Sequence, residues 1–350
     1  MFVNVDKVSQ FAIACLTKCG MSAEDADIVA QTLIVADQKG IHSHGFMRLP
    51  VYIQRIKKNM IVPDAQVETV RETESTVVAD GHYGAGQVVG YRTMAMAIDK
   101  ARHHGAGVAV VKNSNHFGIA GHFAQMAADQ NMIGVVISNV EPLMPAVGGA
   151  EKVIGNNPIA IAAPSSGETP VILDMALSHV PLGKILFTKS QGKDMPEGWG
   201  LDKNGAMTTD PAQVHDGESM LGSLFPTGGA KGFGLALMTE VLTGVLSGGE
   251  FSKQIASMYA MEERQSISHF MLALDIAQFM DITEFKQRML LLAGLIKSSA
   301  RAEGVEELFL PGEIEQRWAA DNLDKGLPMD QGIYDALQAL GQELGVEFNV

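Results

Sequence analysis

The chain is poor in thiols. Of 350 residues only Cys15 and Cys19 are cysteine, one helical turn apart in an apolar stretch, which excludes a disulfide framework and leaves packing as their expected role instead of redox or metal chemistry. Positive charge is also scarce: 26 Lys and Arg face 40 Asp and Glu, a net charge of −14. No basic stripe is present, so a nucleic-acid backbone is excluded as a general partner. A small anionic substrate would need local Arg, Lys or helix N-termini to hold it against that field. No uncharged apolar run approaches the roughly 18 residues of a membrane span, and the start Met1-Phe2-Val3-Asn4-Val5-Asp6 lacks the basic and apolar blocks of a leader. The expectation is a cytoplasmic protein without membrane contact. Several signatures are missing as well: a Gly-x-Gly-x-x-Gly fingerprint after a strand, a P-loop, a paired-histidine zinc motif and a Gly-x-Ser-x-Gly elbow. A standard Rossmann site is thereby disfavoured, and a metal-free, non-covalent mechanism is the simpler expectation.

With 46% hydrophobic and 19% charged residues, the composition is that of a globular protein, and its length favours two lobes. Val8, Phe11, Ile13 and Leu16 keep helical spacing, Ser22 to Asp25 reads as a capping box for a second helix, and a third is expected from near Gly45 to about Lys58. Strand patterns follow at Ser75–Gly81, Gly105–Val111, Ile133–Ser138, Ile159–Ala163 and Val171–Asp174, with helices between, one of them after His116. These place a continuous α/β lobe over residues 74–250. Phe285, Met289, Leu292 and Ile296, then Ile333, Leu337, Leu340 and Leu344 before Gly345, predict helices near the end. The expected fold is therefore α/β (α+β), with a discontinuous helical lobe in which residues 251–350 pack on residues 1–73.

Chemistry concentrates in Ser43-His44-Gly45-Phe46-Met47-Arg48, because on a helix His44, Arg48 and Tyr52 would be successive i, i+4 neighbours. An imidazole passes protons near neutral pH, a guanidinium grips a carboxylate through two hydrogen bonds, and a phenol bonds a hydroxyl or carbonyl. Together they suit a hydroxy or keto acid. The same spacing equally describes a solvated helix face. His116 follows a strand end, where α/β proteins place ligand-handling groups; a helix-start residue bonded to the backbone is the alternative. His122 reads as structural, and His103-His104 before Gly105 as a helix C-terminus. The glycine cluster Gly228-Gly229-Ala230-Lys231-Gly232 opens an apolar helix whose amides, with Lys231, suit a pyrophosphate or carboxylate; close packing explains it equally.

In order and spacing, Gly40-Ile41-His42-Ser43-His44-Gly45 with Arg48, Ser114-Asn115-His116-Phe117-Gly118, Gly155-Asn156-Asn157-Pro158, Asp174-Met175-Ala176, Gly183-Lys184, Gly198-Trp199 through Thr208-Thr209-Asp210-Pro211, the Lys231 cluster and Leu310-Pro311-Gly312-Glu313 resemble the malate/L-lactate dehydrogenase family, nearly end to end. The resemblance implies a homodimer of non-Rossmann subunits that bind NAD or NADP and move hydride between the nicotinamide and a small 2-hydroxy or 2-oxo acid, or a related imine or ureido acid. It places His44 and His116 at acid/base positions and Ser43, Arg48, Tyr52 and Lys231 at substrate-contacting ones. Asp174, Met175, Ala176, Lys231, Gly232, Pro311, Gly312 and Glu313 fall on cofactor-contacting segments. One departure is visible: Val140-Glu141 stands where family members often carry small hydroxyl or amide groups. Glu141 would repel an anionic substrate or recognise an amino or ureido group. Alternative readings are a cyclic imino acid reductase and a non-redox 2-oxo acid lyase or isomerase.

Overall fold

The computed structural model describes residues 1–167 and 169–350. Its centre is a seven-stranded sheet of β1 (Glu68–Glu72), β2 (Thr76–Asp80), β3 (Ala106–Ser114), β4 (Met132–Ser138), β5 (Ile159–Ala163), β6 (Val171–Met175) and β7 (Ile267–Asp275), in the order β1-β2-β3-β7-β4-β5-β6. The helices used below are α1 (Val5–Lys18), α2 (Ala23–Gln38), α3 (Leu49–Lys57), α4 (Gly86–His104), α5 (Ala120–Ala128), α6 (Leu182–Ser190), α7 (Pro211–Val214), α8 (Ala230–Glu240), α9 (Ile282–Lys297), α10 (Glu313–Leu323) and α11 (Gln331–Leu344).

Only β2 and β3 run parallel, joined through α4; every other pairing in the sheet is antiparallel. The expected limits of 74 and 250 therefore do not contain the sheet. β1 precedes them, and β7, drawn from beyond residue 250, fills the centre, with Met271 opposite Ala109 on β3 and Val136 on β4. Its apolar text fits that place, because a strand with neighbours on both edges and helices above it buries most of its side chains. Val89, Met94, Ala97 and Ile98 of α4 and Phe123, Ala124 and Ala127 of α5 pack on Val77, Ala109, Val111, Val136, Ala160 and Met271 of the sheet.

The second core joins the two ends of the chain. Phe11 and Leu16 of α1, Val29 and Leu33 of α2, and Ile53 of α3 share one cluster with Leu337, Leu340 and Leu344 of α11. Gly345 ends α11 in the left-handed region at φ 62°, and Ser22 caps α2 by accepting from the Asp25 amide at 3.1 Å. Asp25 itself turns to Arg92 at 2.7 Å instead of closing the box. A smaller cluster over Met144, Leu177, Ile185 of α6, Met195, Val214 of α7 and Leu224 forms an arm beside the sheet. α9 departs from the expected packing: it buries no residue and leaves Leu291 and Leu295 67% and 73% exposed, so its helical spacing marks a face open in the single chain. Cys15 is buried in α1 and both thiols are free, with burial pushing the Cys15 thiol up to about 12. Packing is their observed role.

Phe123 is fully buried and stacks on Phe117 with ring centres 4.9 Å apart. Phe123→Ala is expected to lower the free energy of unfolding by about 3–5 kcal/mol, measured by urea denaturation.

Candidate active site

The segment after α2 is shaped by a buried carboxylate. Asp37 accepts from the Phe46 amide at 2.8 Å and pairs with His42 Nδ1 at 2.8 Å. A Cβ at residue 45 would lie 2.2 Å from the Asp37 carboxyl, so only glycine lets the chain pass over it. The backbone turns through two short 3-10 segments, His42–His44 and Phe46–Arg48, before α3 begins at Leu49 with Pro50 in its first turn, where the missing proline N–H costs nothing. This corrects the single helix expected from near Gly45. His44, Arg48 and Tyr52 are not three rungs of one helix face; only Tyr52 lies within α3, and the turns bring the other two to it.

His116 arrives from the opposite side. At the end of β3 the register slips between Ile267 opposite Ser114 and His269 opposite Val111, and Asn113 takes a φ of 53° while its amide donates to both Asp80 carboxylate oxygens at 3.0 and 2.9 Å. Asn115 Nδ2 then donates to the carbonyls of Tyr83 and Gly84, and the His116 amide donates to Gln265 Oε1 at 3.0 Å. α5 starts only at Ala120, so His116 stands in a loop and not at a helix start. Between them Gly118 adopts φ +88°, with no atom within 4 Å of where a Cβ would be.

Both approaches meet. The rings of His44 and His116 stack at 5.3 Å between centres. Tyr52 Oη and His116 Nδ1 share a hydrogen bond of 2.7 Å, and Ser43 Oγ and His44 Nδ1 share one of 2.8 Å. Arg48 Nε donates to the Ser43 carbonyl at 2.6 Å, and its Nη1 reaches the Tyr259 hydroxyl and Met258 Sδ. Burial, then Arg48, lowers His44 to about 4; burial, then His44, Arg48 and His269, hold His116 well below its ordinary value. Both rings are neutral near pH 7. Burial also raises the Tyr52 phenol, which stays protonated. Lys231, by contrast, is exposed in the first turn of α8 and makes no hydrogen bond or ion pair among the described residues.

A residue outside these motifs holds the two strand ends. His269 is fully buried near the start of β7; its Nδ1 bonds Ser138 Oγ at 2.9 Å, its Nε2 bonds Ser114 Oγ at 2.8 Å, and Phe117 stacks on it at 4.3 Å. A histidine inside an apolar strand text, preceded by serine at 266 and 268, was the available signal.

A cleft of about 200 Å³ has Ile41 and Ile119, from the two segments that carry the histidines, in its wall together with Lys39, Gly121, Asp174, Pro311 and Gly312. Asp174 accepts from the Gly121 amide at 2.7 Å, and loss of water among the cleft walls raises its carboxyl to about 6. Gly312, at φ 87°, packs so tightly that a Cβ would come 2.9 Å from the Ile172 carbonyl. A carboxylate acceptor, an amine at Lys39 and closely approaching backbone suit a ribose or similar polyol end of a dinucleotide. Met175, Ala176, Lys231, Gly232 and Glu313 are not on this wall, and Glu313 pairs with Lys297 at 2.6 Å. His122, lowered to about 4 by burial and then by Lys39, is separate from the histidine pair. Among the described residues no group of three or more His, Cys, Asp and Glu could hold a metal ion, and no helix is long and apolar enough to cross a membrane.

This mixed α/β frame brings together two neutral histidines, a phenol and an arginine, with a separate cleft that carries a carboxylate acceptor. The chain belongs to the malate/L-lactate dehydrogenase family, whose sequence profile matches residues 3–338. It is similar to malate dehydrogenase of Pyrococcus horikoshii, 39% identical over 350 residues that cover 99% of this chain and 96% of the relative. Ureidoglycolate dehydrogenase (NAD+) of Escherichia coli O157:H7 is 34% identical over 343 residues, covering 96% and 95%. The solved structure of sulfolactate dehydrogenase from Methanocaldococcus jannaschii superposes with a TM-score of 0.93 at 39% identity, covering 99% of this chain and 98% of that one.

Burial also holds His269 at about 3. The unfolded chain titrates such rings near 6.5, so as the pH falls it takes up protons before the folded chain does. The contribution of His269 to stability is full above about pH 6.5 and is lost progressively as the pH falls toward about 3. Replacing His269 with Gln is expected to flatten this acid slope by about 1.4 kcal/mol per pH unit, measured by urea denaturation at pH 7 and pH 5.

Proposed function

We propose that this chain is an NAD(P)-dependent dehydrogenase that moves hydride between a nicotinamide and a small 2-hydroxy or 2-oxo acid. The observation that carries the reading is the pair of neutral histidines at 5.3 Å, bounded by Tyr52 and Arg48. NAD or NADP, when bound, supplies the hydride acceptor or donor. Asp174, with Pro311 and Gly312, would hold one end of it in the cleft, and Met175, Ala176, Lys231, Gly232 and Glu313 are assigned to the same cofactor through the family.

In the oxidative direction His116 takes the hydroxyl proton on Nε2. In the tautomer that leaves this nitrogen free, Nδ1–H donates to Tyr52 Oη, which fixes the ring and stabilises the imidazolium as it forms. Arg48 grips the substrate carboxylate and so sets the carbinol carbon at a fixed angle and distance. His44, held through Nδ1 by Ser43, lies against His116 and offers a second proton-carrying nitrogen. Lys231 is assigned to the substrate set through the family. Reduction reverses the proton path.

Two further elements belong to this reading. A homodimer is supported by the open apolar faces of α9 and of α8, where Leu235 and Met238 are 52% and 53% exposed. Cytoplasmic residence accords with two free thiols.

With a 2-oxo acid and NADH or NADPH, His116→Ala is expected to lower kcat about 10²- to 10⁴-fold, and Arg48→Ala to raise KM for the acid at least about tenfold. Wild-type turnover in both His44→Ala and His116→Ala would overturn the acid/base assignment, and no saturable change in nicotinamide fluorescence on titration would point to the non-redox lyase. Light scattering of the eluting protein should give twice the 37.4 kDa chain mass, with Leu291→Asp combined with Leu295→Asp falling to one.

A further inference from the structure

Glu141 stands at the turn after β4, and the polar network behind that turn fixes where it points. Val140 N donates to Asn157 Oδ1 at 3.1 Å; Asn157 and Asn139 each donate from Nδ2 to the buried Glu240 carboxylate at 3.2 Å; and Ser268 N donates to Asn139 Oδ1 at 2.8 Å. The Glu141 side chain then meets a single loop segment, accepting from Ser257 Oγ at 3.3 Å and from the Met258 amide. That same segment receives Arg48, through Met258 Sδ and the Tyr259 hydroxyl. Three consecutive residues thus carry the pocket's cation on one part and an acidic group on the next.

The two do not pair. Glu141 forms no ion pair among the described residues, although it lies within the electrostatic reach of both Arg48 and Arg55. Arg55 is spent on the loop, donating to the carbonyls of Met258, Ala260 and Glu263 at 3.0, 2.8 and 3.3 Å. A carboxylate offers about four acceptor positions, and here three are engaged by protein donors: the Ser257 hydroxyl, the Met258 amide and the amide of Glu141 itself. Acceptor capacity is left over next to the group that holds the substrate.

We infer that Glu141 is the specificity-determining acceptor of the pocket: it selects 2-hydroxy and 2-oxo acids whose far end presents an N–H donor, as in an amide, ureido or ammonium group, over those whose far end carries a second anion. This rests on Arg48 as the group that binds the reacting carboxylate. An N–H at the far end fills the open acceptor position, whereas a second carboxylate or a sulfonate sets acceptor against acceptor and charge against like charge in a site with little water. The discrimination is of the size of one hydrogen bond to a charged group, about 10- to 100-fold.

Malate and its 4-amide, 2-hydroxysuccinamate, have nearly the same shape and differ in charge and donor at the far end. The wild-type protein is expected to show kcat/KM at least about tenfold higher for the amide, and Glu141→Gln and Glu141→Ser to shrink that ratio at least about tenfold, chiefly by lowering KM for malate, while lactate changes less than about threefold. Binding of the unreactive pair succinamate and succinate, followed by thermal shift, reads the same preference without turnover. A wild-type preference for malate and succinate, or a ratio unmoved in both variants, overturns the role of Glu141. Failure of the dehydrogenase reading looks different: no 2-hydroxy acid is oxidised by wild type or variant, and the succinamate preference alone then decides for or against Glu141.

Discussion

The buried ring of His269 is the interaction on which the site depends. β7 lies between β3 and β4, and its histidine spans the gap to hydrogen-bond a serine at the end of each. One of those ends delivers His116 and the other delivers Asn139, Val140 and Glu141. Each hydrogen bond contributes only about 0.5–1.5 kcal/mol net, yet leaving either ring nitrogen or serine unpaired in the interior would cost about 1–3 kcal/mol. His116 and the turn that carries Glu141 are thereby tied to one buried side chain.

The same interior sets the protonation of the site. Arg48 beside two histidines and the loss of water around them act in the same direction, and both keep the imidazoles uncharged. A neutral ring with its second nitrogen already engaged has one defined place for an incoming proton. Asp37 does for the N-terminal half what His269 does for the strand ends, since its carboxylate holds the Phe46 amide and His42 and obliges the chain to turn at Gly45. A helix through this segment would have carried His44 and Arg48 along its axis; the turns instead fold them back toward His116.

How much of this was legible in the sequence follows from the range of the interactions. Local patterns gave α1, α2, α4, α11 and most strands, because apolar spacing and caps such as Ser22, Gly105 and Gly345 act within a few residues. His44, Arg48 and Tyr52 were found as a set, but for the wrong reason: helical spacing was read through Gly45, and the Asp37 contact that breaks the helix involves a residue outside that segment. Pro50 was the local cue to a later start. β7 was missed as the sheet's central strand since its partners lie more than a hundred residues away, and His269 was missed with it. The open face of α9 has the same spacing as a buried one; exposure is a property of the neighbours and is not written in the helix.

The shared core of α1, α2, α3 and α11 has a consequence for how the chain is made. Roughly 300 residues separate Phe11 from the leucines it meets on α11, and at about 5–20 residues per second the ribosome takes tens of seconds to supply them. The first helices therefore emerge long before their apolar faces can be covered. During that interval the sheet also lacks its central strand, so neither lobe can close until synthesis has passed β7, and the early helices must be kept from other nascent chains, which makes this a protein whose assembly is governed by its last quarter.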